Sequence, residues 1–283
     1  MRYSDAVTRA LLPFALLGLI VACGGDAPET EADDAEVEMP FDVATAGHLQ
    51  GMVLFEGDPP PPEVLDMSSE PDCASQWDDQ PMRDLVQVSD GHLENVFIYV
   101  KEGLDGMDFP RARDTPVMDQ VGCRYTPTVI GLMPGQEITF RNSDGLLHNI
   151  NSSPTVNRGF NISQPVNMDT QRSFASPEVM IPVRCDVHGW MRAYIGVVPH
   201  PYHGVTGSGG SFDLRDLPPG EYVIEAWHSQ LGTQEQTVTI ATGETAEVSF
   251  TFTSEMLGTA VVPLGEPIYP HRHHAPHSAP ATR

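Results

Sequence analysis

The chain has 283 residues, with 15 Lys+Arg against 39 Asp+Glu, for a formal charge of -24. A surface that acidic repels phosphate backbones and anionic headgroups, which argues against a nucleic-acid-binding protein. With 26 Pro and 25 Gly interrupting helices and marking turns, the 40% of hydrophobic residues should be buried by strands in one to two domains.

The first 22 residues read as an export signal. Arg2 and Arg9 precede the apolar run Leu11–Ala22, which is too short for a bilayer core that needs about 20 residues. Ile20-Val21-Ala22-Cys23 resembles the lipobox of bacterial lipoproteins, which implies lipidation at Cys23; plain secretion is the alternative. Residues 23–47 form an acidic tether: from Asp26 to Asp42 there are eight acidic residues and no basic one, too little apolar surface to offset chain entropy. The expected location is the extracytoplasmic face of a bacterial membrane, held there by a lipid anchor.

Short runs of alternating apolar and polar residues follow, bounded by Gly, Pro, Asn or Asp. They include Gly51–Phe55, Asn95–Val100, Glu137–Arg141 and Ala193–Val198, and the one candidate for a helical piece lies near Asp79–Val86. Strands separated by turn signals imply a β-sandwich across residues 48–199. After Pro199 a second series begins with Gly210–Leu214, the turn Leu217-Pro218-Pro219-Gly220 and the strand Glu221–Trp227. Thr237–Ile240 and Ala246–Phe252 add two more strands. Residues 200–253 resemble the carboxypeptidase regulatory-like, or transthyretin-like, β-sandwich, with its carbohydrate-binding-like fold. That is few residues for an independent core, so this segment should pack on the preceding domain, and the strand at 51–55 is a candidate to complete its sheet. Tyr202 and Trp227, if exposed, offer stacking surfaces for a sugar; core packing is the plainer reading. Residues 254–283 form a Pro/His-rich tail in which His271, His273, His274 and His277 either bind metal loosely or are simply solvated.

The chemistry concentrates in Cys185-Asp186-Val187-His188-Gly189-Trp190-Met191 and in His148, which closes Asn142–His148. Thiolate, imidazole and thioether three residues apart can converge from one inter-strand loop, and His148 supplies a second imidazole. Two His, one Cys and a weak axial Met are the ligand set of a type 1 blue copper site. Zinc in a Cys-His-His site with an open position is the competitor, but no metalloprotease helix with a glutamate accompanies it, and Met191 favours copper.

The stretch from about Tyr125 to Val198 resembles the cupredoxins of the plastocyanin and amicyanin group. Tyr125-Thr126-Pro127-Thr128-Val129, Met133-Pro134-Gly135-Gln136, Phe140-Arg141-Asn142 and His148-Asn149 carry the resemblance, and the two-residue gaps of the Cys–His–Met loop match amicyanin. It implies an all-β fold, a Greek-key β-sandwich followed by the smaller one. It also implies one mononuclear copper held by His148, Cys185, His188 and Met191, with Asn149 tying the two ligand loops together. The departure is an extra stretch of about 80 residues between Gly47 and Pro127. Multicopper oxidases and copper nitrite reductases place a histidine directly beside the copper cysteine; here the neighbours are Arg184 and Asp186, so that resemblance implies no wired second copper, and no C-x-x-C-H attaches haem.

Of four cysteines, a lipidated Cys23 and a copper-bound Cys185 leave Cys73 and Cys123, which an oxidising compartment would join. A second metal site is the alternative, although no histidine is near either cysteine in sequence. The resulting expectation is a non-enzymatic carrier of single electrons, with His188 as its surface-facing exit. Its partner would be basic, such as a c-type cytochrome, or an extracytoplasmic oxidoreductase. A copper storage or delivery lipoprotein, and a carbohydrate- or protein-binding module with a structural metal, are the other readings.

Overall fold

Strand Gly47–Glu56 buries Leu49, Val53 and Phe55 while Gln50, Met52 and Glu56 face out, the period-two pattern of a sheet with one covered face. It is also the hub of its sheet. It runs antiparallel to Ser211–Leu217 and to the two-residue strand His92–Leu93 along one edge, and parallel to Thr245–Thr253 along the other. The facing sheet has the order His203–Val205, Phe97–Glu102, Gly220–His228, Gly232–Ile240. Leu49, Val53, Phe55, Ile98, Val100, Leu214, Ile224, Phe250 and Phe252 fill the space between them.

The computed structural model describes residues 38–258. The expected signal peptide, Cys23, most of the tether and the tail histidines lie outside the described residues. The fold is all-β: among the described residues the one α-helix is the turn Pro71–Ala74, where Pro71 presets the first helical position. The helical piece expected near Asp79–Val86 is not there; that stretch is extended and pairs Met82–Arg83 with Glu63–Val64.

A second sandwich is built from residues 117–197. One sheet runs Met168–Ser173, Glu137–Asn142, Val117–Val121, Arg124–Thr126. The other runs Phe160–Gln164, His148–Ser152, Glu178–Arg184, Arg192–Val197, Val129–Leu132. Met118, Ile138, Phe140, Ile150, Phe174, Ile181, Val183 and Ile195 make its core.

The two sandwiches are not consecutive, as boundaries at 48–199 and 200–253 would have them. The 117–197 sandwich is threaded between Phe97–Glu102 and His203–Val205, which pair with one another. The five strands after residue 200 do not complete both sheets by themselves, and strands 47–56 and 97–102 supply what is missing. Within the extra stretch upstream of Pro127, residues 47–56 and 88–102 therefore serve the sandwich made with the strands after residue 200.

The sandwiches meet through Phe97, Tyr99 and Trp227 on one side and Val129, Met180 and Tyr194 on the other. Gly131 and Gly196 pair in register at this seam. A Cβ on Gly131 would lie 2.3 Å from the His203 ring, and one on Gly196 would lie 2.6 Å from Phe97, so only glycine allows the sheets to approach. Trp227 packs edge-on to Tyr194 at 5.0 Å and is 5% exposed; Tyr202 is 3% exposed and donates its hydroxyl to the Asp216 carbonyl. Neither is a surface for stacking on sugar.

Candidate metal centre

Strand 137–142 ends in a turn that fixes the first imidazole. Asn142 donates its amide to the Leu146 and Gln164 carbonyls at 2.7 and 3.0 Å and accepts the Asp144 N–H at 3.1 Å. This brings the buried Asp144 carboxylate to 2.8 Å from Nε2 of His148, at the start of strand 148–152. In the neutral ring Nε2 donates there, which leaves the lone pair on Nδ1. Burial opposes charge on His148, but hydrogen bonds to Asp144 and Cys185 raise its pKa to about 9.

Strand 178–184 delivers Cys185, and the loop that follows is closed by its own backbone. Met191 N–H donates to the His188 carbonyl at 2.9 Å, and Cys185 N–H donates to the Met191 carbonyl at 3.2 Å. Sγ of Cys185 accepts the backbone N–H groups of Asn149 at 3.5 Å and His188 at 3.4 Å. Burial works against the thiolate, yet these donors and the two imidazoles bring the thiol down to about 6, so it is ionised at neutral pH.

His148, Cys185 and His188 converge: the Nδ1 atoms of the two imidazoles are 2.8 Å apart, and Nδ1 of His188 is 3.8 Å from Sγ. All three side chains are buried, and their donor atoms lie within 4.8 Å of one another. Met191 is buried in the same core cluster as Cys185. Two imidazole nitrogens and a pre-ionised thiolate, dry and preformed, are the donors that a soft, redox-active metal takes.

Asn149 joins the two loops. Its Oδ1 accepts the Asp186 N–H at 2.6 Å, and its Nδ2 donates to the Asn161 side-chain oxygen and to the Asp186 carboxylate at 2.6 and 3.1 Å. Asn151 and Asn161 bind the same carboxylate, which Arg184 neutralises at 3.0 Å.

His188 is not a surface-facing exit. It is 3% exposed because residues 63–83 fold over its outer edge. A disulfide joins Cys73, in the helical turn, to Cys123, and Sγ of Cys73 sits 3.5 Å from Nε2 of His188. The bond closes a loop of 50 residues, which the chain-entropy model values at about 4 kcal/mol. The Trp190 ring lies 5.2 Å from the His188 ring and donates its N–H to the Cys123 carbonyl at 2.9 Å. Arg83 holds the Trp190 carbonyl at 2.8 Å. Asp144 also accepts the N–H groups of Gly122 and Cys123 at 2.7 and 2.9 Å, so one carboxylate grips both an imidazole and the disulfide hairpin.

Sequence reasoning gave no role to Asp144, although its place four residues before His148 is a usable signal. Nor did it find the contact between Cys73 and His188, for which the sequence carries none.

No protein-family model matches the chain, and no curated protein does. Solved structures similar to part of it include a copper-containing nitrite reductase from Thermus scotoductus SA-01, at 17% identity and TM-score 0.29, over 31% of this chain and 23% of that one. An oxidised amicyanin point variant is similar at 19% identity and TM-score 0.28, over 31% of this chain and 85% of amicyanin. A purple cupredoxin from Nitrosopumilus maritimus is similar at 18% identity and TM-score 0.26, over 29% of this chain and 99% of that one.

Proposed function

We propose that this protein is a blue copper carrier of single electrons, in which His148, Cys185, His188 and Met191 would hold one mononuclear copper. The observation that carries the reading is the buried convergence of two Nδ1 atoms and a thiol whose pKa is already lowered to about 6. Copper, when bound, supplies the one-electron couple. The chain supplies the rest: Asp144 fixes the tautomer of His148, the closed 185–191 backbone and Asn149 keep the donors at set distances, and the dry pocket excludes water. Rigidity of this kind keeps reorganisation small when charge changes. With the outer edge of His188 covered, the groups through which an electron would cross to a partner are the Trp190 ring and the disulfide.

The acidic surface favours a basic partner such as a c-type cytochrome, and the lipobox-like Cys23 favours a membrane anchor outside the cytoplasm. Incorporation of labelled palmitate that is lost in Cys23→Ala would establish the anchor.

The deciding experiment is the visible and EPR spectrum after addition of Cu(II). An intense charge-transfer band with narrow hyperfine splitting, absent in Cys185→Ser, is expected. A pale Cu(II) spectrum, or protein that is isolated holding zinc, overturns the reading.

A further inference from the structure

The disulfide that caps the site places two sulfurs and an imidazole nitrogen in one cluster. Cys73, Cys123 and His188 are all buried, and their Sγ, Sγ and Nε2 atoms lie within 4.8 Å of one another. This cluster uses the nitrogen of His188 that faces away from Cys185. Trp190 and Trp77 wall it in, donating to the carbonyls of Cys123 and Gly122 at 2.9 and 3.1 Å. Glu70 stands at its rim, with Oε2 3.9 Å from Nε2 of His188. In the oxidised state the sulfurs are tied to one another. Released, they are two soft donors beside an imidazole, a trigonal set suited to Cu(I).

We propose that Cys73, Cys123 and His188 form a second, thiol-gated site that binds one Cu(I) when a dithiol reductant opens the disulfide. Thiol–disulfide exchange passes two electrons from the reductant to the Cys73–Cys123 bond; the reductant leaves as its own disulfide, and each cysteine gains a proton. Binding of Cu(I) then displaces those protons, because the thiolate is the ligand. Copper does not change oxidation state in this step. A neutral imidazole carries one lone pair, so His188 serves Cys185 through Nδ1 or the cysteine pair through Nε2, but not both at once. The two sites therefore alternate, and the cysteine pair is a receiving position from which Cu(I) passes across one ring to Cys185 and His148. Only this hand-off rests on the copper reading of the first site. The cysteine site stands on its own geometry.

The test uses the full-length Cys185→Ser chain, which removes the first thiolate, so a failed blue spectrum in the parent does not affect the result. The chain is titrated anaerobically with Cu(I) against a chromogenic chelator, before and after reduction by a phosphine. Reduction should add one equivalent of bound Cu(I), with the circular dichroism spectrum unchanged, and the addition should vanish in Cys185→Ser/Cys73→Ser. That double variant keeps Cys23 and the tail histidines and so sets the background. His188→Ala in the Cys185→Ser chain should weaken the added binding by at least about tenfold, the scale of losing one contact in a metal site. No added equivalent, an equivalent that survives Cys73→Ser, or uptake only by a chain that reduction has unfolded each overturns the proposal.

Discussion

Oδ2 of Asp144 lies 2.8 Å from Nε2 of His148, and the same carboxylate receives the backbone N–H groups of Gly122 and Cys123. One buried anion thus sets the tautomer of a candidate ligand and anchors the hairpin that carries the disulfide. Asp144→Asn keeps the shape but loses the charge and offers an amide N–H toward a ring N–H. Copper affinity should fall by about 10–100-fold, the usual cost of removing an outer partner of a ligating histidine. Competition titration against a Cu(I) chelator reads the loss. Unchanged affinity would reduce Asp144 to a turn-former.

Asn149 makes a different contribution. Its side chain spans from the His148 strand to the Cys185 loop through three hydrogen bonds to Asp186 and Asn161, while its backbone N–H points at Sγ of Cys185. Asn149→Ala removes the first three and leaves the fourth. The orphaned Asp186 N–H should cost about 1–3 kcal/mol in urea denaturation. The thiolate keeps its backbone donors, so the charge-transfer band of the copper-loaded protein should persist.

Of these two residues, only Asn149 had its role foreseen from the sequence. Cys185, His188 and Met191 lie on one short loop, so their chemistry follows from spacing alone, and a strand that ends at Asn142 puts His148 within reach. Alternation also reveals that segments such as Gly51–Phe55 and Glu221–Trp227 are strands, but not which strands they pair with. The threading of one sandwich through the other was hidden for that reason, since it depends on pairings such as Gly51 with Val248, nearly 200 residues apart. The cap over His188 was hidden too. It needs the Cys73–Cys123 link, the Asp144 clasp and Trp190 together; the cysteine count foretells the link, but nothing local says that the three close over one ring.

The seam between the sandwiches makes a separate prediction. Gly196 faces the buried Phe97 ring so closely that a methyl group would meet its Cζ and Cε1 atoms at 2.6 and 2.7 Å and the Met180 Cε at 3.0 Å. Phe97 is fully buried between sheets and has nowhere to turn. Gly196→Ala should destabilise the protein by about 1–3 kcal/mol through overpacking. The candidate ligands lie on the 185–191 loop and at the start of strand 148–152, away from Gly196, so the visible spectrum of the copper-loaded protein should not change. A denaturation midpoint equal to the parent's would mean that the sheets can separate at little cost.

Two histidines make the fold acid-sensitive apart from the metal. His200 is buried against the Phe109 and Tyr202 rings and its Nε2 donates to the Val100 carbonyl at 2.8 Å; His228 is buried near Phe252 and its Nδ1 accepts the Gln230 N–H at 3.2 Å. Desolvation lowers both to about 4 from an ordinary 6.5. Each is therefore neutral in the folded chain over a range in which the unfolded chain binds a proton. Their contribution is fully present above pH 6.5, falls as the pH drops, and is lost by about pH 4. At most it amounts to about 3 kcal/mol for each group, from 1.36 kcal/mol per pKa unit. Urea midpoints of the metal-free protein should fall between pH 7 and pH 4.5. His228→Gln, an uncharged side chain with donor and acceptor, should flatten that slope by roughly one proton's worth. An equal slope in the parent and the variant would show that His228 takes up its proton without unfolding.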